Sequence, residues 1–131
     1  MSRGNASTTD THAAPLRPTG HVGGHWVAER VVSIALLVLG TWLIASLFLL
    51  PSLDQRTLAE WLRAPSGAVP MALFVILSFL HGLDGMKVVV DDYVQDKANH
   101  FAINTVLLFA AVGGAGLALF SLARIAFGGE A

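Results

Sequence analysis

The sequence predicts an all-α integral membrane protein with three transmembrane helices running up, down and up, and two observations carry that prediction. Of its 131 residues 54% are apolar and only 13% are charged, and the mean hydropathy is +0.64, well above the composition of a soluble domain. Three stretches come close to the roughly 20 apolar residues that a hydrocarbon core of about 30 Å requires of a helix. The same composition excludes other classes. A net charge of −1 with no basic stripe leaves no footprint for nucleic acid. Without cysteine the chain has no disulfide, no thiolate nucleophile, no iron–sulfur cluster and no Cys-based zinc site of its own.

In chain order, residues 1–24 are polar and rich in Gly, Pro, Ser and Thr, which predicts a mobile tail. It has no apolar core of a signal peptide, so the first span is expected to stay in the mature protein. Residues 25–131 then form one three-helix membrane domain. Its first span, 31–50, is VVSIALLVLGTWLIASLFLL, uncharged throughout and stopped by Pro51. The following connection contains LAEWLRA, in which Leu58, Trp61 and Leu62 share a face suited to the membrane interface. The second span, 69–90, places Pro70 in its first turn, where the missing N–H costs nothing, and is interrupted by His81, Asp84 and Lys87. The third, 102–123, is uncharged and carries Gly113, Gly114 and Gly116 as small surfaces for close helix packing.

Orientation follows from the basic residues. Arg3, Arg17, Arg30, Lys87 and Lys97 fall on one side, and Arg56, Arg63 and Arg124 on the other. The excess predicts a cytoplasmic N-terminus in a bacterial inner membrane; the tail lacks the Arg-rich, amphipathic character of a transit peptide.

The functional signal lies in the second span. At about 100° per residue, Phe74, Ser78, His81, Gly85, Val88 and Asp92 fall on one stripe. An imidazole in lipid needs a partner. It can hydrogen-bond to a helix of another subunit, or it can be an axial haem ligand, with a glycine one turn away leaving room for a flat porphyrin edge. Asp84 can pair with Lys87 or hydrogen-bond to His81 or a neighbouring helix. Tyr93 suits an aromatic belt; beside Asp92 its phenol can also donate to a carbonyl oxygen of a quinone. Arg30 can snorkel to headgroups or, helped by His25, hold a buried carboxylate.

A histidine in the middle of three spans, Gly85-Met86 just after it, Asp92-Tyr93 beyond, and His25-x4-Arg30 at the entry to the first span together resemble the small hydrophobic membrane anchor of succinate dehydrogenase (complex II), the cytochrome b556 type. The likeness runs from about Gly24 to Arg124, and its specific part is the motif from His81 to Val94. It implies that His81 is one of two axial ligands of haem b, the other coming from the larger cytochrome b anchor chain. Arg30 and His25 would stand at the haem propionates. Tyr93 and Asp92 would bind ubiquinone beside the cytochrome b anchor chain and the iron–sulfur subunit, with electrons from succinate arriving through the flavoprotein subunit. The chain would be a non-catalytic part of that succinate:quinone oxidoreductase. Asp84, inside the motif, stands where an apolar or weakly polar residue is expected. Three other readings remain open: a small proton- or solute-conducting protein with a His81/Asp84 relay, an assembly protein without cofactor, and a menaquinol-linked fumarate reductase anchor.

Overall fold

Each apolar stretch folds as one helix that outruns its apolar part. In the computed structural model, which describes residues 20–128, the chain forms α1 (Gly20–Leu49), α2 (Gln55–Arg63), α3 (Pro65–Tyr93) and α4 (Lys97–Ala126). Three of them, over Trp26–Leu49, Pro65–Tyr93 and Lys97–Ala126, are long and apolar enough to cross a membrane. At about 1.5 Å per residue these helices of 29 and 30 residues exceed a hydrocarbon core of about 30 Å. Their extra turns are mostly polar or small, which is why a hydropathy reading stops short of them. The predicted tail overlaps the start of α1 at 20–24; residues 1–19 lie outside the described residues.

Local signals explain the ends. α1 stops at Leu49, two residues before Pro51. Asp54 caps α2, its carboxylate accepting the Thr57 N–H at 2.7 Å and the Ser52 hydroxyl at 2.9 Å. Those hydrogen bonds, that of the Thr57 N–H above all, hold its carboxyl below the ordinary value of 3.8. Asp96 caps α4 in the same way through the Asn99 N–H, at 3.0 Å. The far end of α4 closes on Gly128, whose φ of +82° suits glycine and whose N–H bonds the Ile125 carbonyl at 3.2 Å.

One expectation is corrected. Pro70 does not occupy the first turn of its helix, because Pro65 holds that place and Pro70 lies inside α3. The Ser66 carbonyl consequently has no intrahelical N–H to accept from Pro70.

α3 is the middle of the assembly. Both α1 and α4 pack along it, while no α1 and α4 backbones come within 8 Å of each other. The amphipathic α2 turns back under the helices, touching α3 and α4, and Trp61 stacks on Trp42 of α1 with ring centroids 5.6 Å apart. Gly67 is required at the α2–α3 corner, since a Cβ there would run into the Trp61 carbonyl oxygen. Among the described residues, Val90 and Leu122 are the buried large apolar side chains, whereas Phe48 and Leu49 are each 85% exposed. A surface so apolar belongs against lipid or other apolar helices, not water.

Candidate functional site

The α1–α3 contact is incomplete, and the gap is polar. A cleft of about 330 Å³ opens between the two helices, lined by Glu29, Arg30 and Ser33 from α1 and by His81, Asp84, Gly85 and Val88 from α3, with Ala28 and Val32 completing the wall. Of the stripe expected from helical periodicity, His81, Gly85 and Val88 face α1, whereas Ser78 lines a groove toward α4. Arg30, expected near a carboxylate, stands on the same cleft as His81. Its guanidinium lies over the Trp26 ring, 4.5 Å from the centroid, which steadies it by a cation–π contact. Asp84 is on the cleft as well, and its carboxylate reaches Lys87 Nζ at 3.6 Å, one of the partners open to it. A Cβ added to Gly85 would meet nothing within 4 Å; the glycine leaves that wall open.

The donor set speaks to what the cleft can hold. Among the described residues no three His, Asp or Glu side chains converge, so a bare ion has no protein cage. The lining offers one imidazole, an open glycine wall and a guanidinium, groups that a flat, carboxylate-bearing, iron-centred ring would use, together with the Glu29 and Asp84 carboxylates. The side chain of His25 lies outside the described residues.

Tyr93 and Asp92 belong to another place. They close α3, about 18 Å along the axis from His81, and the cleft ends at Val88, a turn short of Asp92. Tyr93 is 83% exposed. Both side chains therefore present a surface that nothing among the described residues covers.

Sequence reasoning passes over a third cluster. His100, on the first turns of α4, lies with Nε2 2.6 Å from Asp91 Oδ1 on α3, and its Nδ1 is 3.3 Å from the Asn104 side-chain nitrogen. The same amide nitrogen is 3.3 Å from Nε2 as well, so the Asn104 amide lies against the His100 ring rather than at one nitrogen. The Asn104 Oδ1 is buried without a partner among the described residues. The spacing of His100 and Asn104, four apart on one helix, was a local signal; the link to Asp91 needed the fold.

A second groove, about 350 Å³ and almost wholly apolar, runs between α3 and α4 past Ser78, Gly82, Met86 and Leu107. It contains no titratable group.

The model of the family described as Succinate dehydrogenase/Fumarate reductase transmembrane subunit matches residues 10–122. The succinate dehydrogenase hydrophobic membrane anchor subunit of Paracoccus denitrificans is 33% identical over 105 residues, covering 79% of each chain. That of Rickettsia conorii is 32% identical over 90 residues, 67% of this chain and 71% of the relative, and that of Rickettsia bellii 30% over 87 residues, 66% and 70%. With three membrane-spanning helices and matches of this extent, the chain belongs to the succinate dehydrogenase/fumarate reductase transmembrane subunit family, on the side of its hydrophobic membrane anchor subunits.

Proposed function

We propose that this chain is the anchor through which a succinate dehydrogenase holds haem b and delivers electrons to ubiquinone in a bacterial inner membrane, its N-terminus cytoplasmic. The observation that carries the reading is the meeting of His81 and Arg30, from different helices, on one cleft with an open glycine wall. A headgroup-seeking arginine or a core histidine would not need that meeting.

In this reading His81 would hold the haem iron through an imidazole nitrogen, together with a ligand from the cytochrome b anchor chain. Arg30, held by Trp26, pairs with propionate carboxylates, where its planar fork gives two hydrogen bonds. Gly85 keeps the wall clear of the ring edge. Bound haem b supplies a one-electron redox centre inside the bilayer. At the end of α3 the Tyr93 hydroxyl donates a hydrogen bond to a quinone carbonyl, and the Asp92 carboxylate orients the phenol or passes on a proton. Two electrons from succinate, brought by the flavoprotein and iron–sulfur subunits, and two protons convert quinone to quinol. The bare surface around Tyr93 fits a pocket whose remaining walls come from the iron–sulfur subunit and the cytochrome b anchor chain.

The test is a reduced-minus-oxidised spectrum of the complex co-expressed with its neighbouring subunits, wild type against His81→Ala, with succinate-dependent quinone reduction on the same samples. A b-type band that the substitution removes or shifts supports the reading. A wild-type complex without haem that reduces no quinone would sink it, and a relay through His81 and Asp84 would take its place.

A further inference from the structure

We infer that His100 is a positioning residue for the quinone end of α3, an inference that rests on the proposed role of Asp92 and Tyr93. The last turn of a helix has carbonyls without intrahelical partners and frays unless something outside it holds it. Here α3 ends at Tyr93 and the chain leaves in extended form at Val94. Two ties hold that turn. The Val94 N–H bonds the Val90 carbonyl at 2.9 Å, on a residue only 5% exposed. Across the short link, His100 Nε2 joins Asp91 Oδ1 at 2.6 Å.

The second tie is the one that reaches another helix. Asp91 immediately precedes Asp92 and Tyr93, and His100 is itself anchored, its N–H bonding the Asp96 carbonyl at 2.8 Å and its ring meeting Asn104. Asp96 in turn caps α4. The imidazole is thus braced on both sides and fixes the rotation of the turn that carries Tyr93. Tyr93, 83% exposed, has little packing of its own to hold that direction.

The experiment uses the assembled complex with His100→Leu and His100→Gln, a short-chain ubiquinone as probe, and hydrogen exchange over residues 90–96. The Asp91 and His100 side chains are 62% and 38% exposed, so loss of the bond is expected to raise KM for the quinone about three- to tenfold. kcat should change less than about twofold and the haem spectrum not at all. Exchange at 90–96 accelerates in His100→Leu, and His100→Gln, which keeps a donor, restores both values. Faster exchange with an unchanged KM overturns the inference, as does a Gln variant no better than Leu. Should His100→Leu lose neighbouring chains of the complex, Asp91→Asn, of equal volume, carries the test: a raised KM supports the brace and a wild-type KM overturns it. A wild-type complex inert toward quinone defeats the proposed function instead, and the exchange measurement still decides whether His100 holds the turn.

Discussion

α3 meets its two neighbours in opposite ways. Toward α4 there is one point of tight contact, where a Cβ on Gly114 would come within 2.7 Å of the Phe79 ring, beside an apolar groove of about 350 Å³. Toward α1 the contact is ordinary at Gly40, where the corresponding distance to Phe74 is 3.8 Å, and absent at Gly85, which faces open space. On the α1 side His81, Arg30, Ser33 and Asp84 share one cleft. Within a membrane a close-packed face of small residues is a structural contact, and a polar gap is a place for a ligand. Glycine serves both faces, by permitting contact in one and by withholding it in the other.

That contrast can be broken by substitution. The largest effect is expected from Gly85→Leu, which fills the cleft wall: the haem band should be lost almost entirely while the helices unfold in denaturing detergent within about 0.5 kcal/mol of wild type. A variant that kept its haem would remove Gly85 from the site. Next comes Gly114→Ala, identical in chemistry to a harmless helix substitution yet aimed at the Phe79 ring. It should cost about 1–3 kcal/mol by overpacking in the same unfolding assay and leave the haem spectrum in place. Gly40→Ala should do the reverse, gaining about 0.5–1 kcal/mol from helix propensity because its Cβ has room; a loss of stability there would mean that the α1–α3 contact is as tight as the other.

The smallest effect lies outside both faces. Because hydrogen bonds lower the Asp54 carboxyl below 3.8, its cap stabilises α2 fully above that value and is lost as the pH falls through the lowered one. The Thr57 amide resonance, followed during an acid titration, should report that loss while the α3 contacts stay unchanged. Asp54→Ala should abolish the step.

Much of the fold was legible beforehand. The three spans follow from apolar length, Pro51 closes the first, and LAEWLRA becomes α2. The helix starts were less legible. Pro70 read as a first-turn residue because the apolar run begins beside it, but Pro65 and four further residues precede it in the same helix. At the site, His81, Gly85 and Val88 fell on one stripe by periodicity and are found on one cleft. Asp92 shares the stripe and lies beyond the cleft. Of the His100 cluster only the spacing to Asn104 was visible in the sequence, since the link to Asp91 lies on another helix.

The sequence alone determined that this is a three-span membrane chain with a histidine, an arginine and an Asp-Tyr pair at its few polar positions. Length and hydropathy suffice for that, because lipid demands helices of a given span. Which faces meet was decided only by tertiary structure. Helices apolar on every side have no amphipathic stripe to say which way they turn, so their rotation is set by where a glycine admits an aromatic ring and where it leaves a gap. The fit of Phe79 against Gly114 lies on the α4 side of α3, and on the α1 side the open wall at Gly85 belongs to the cleft that Arg30 and His81 share.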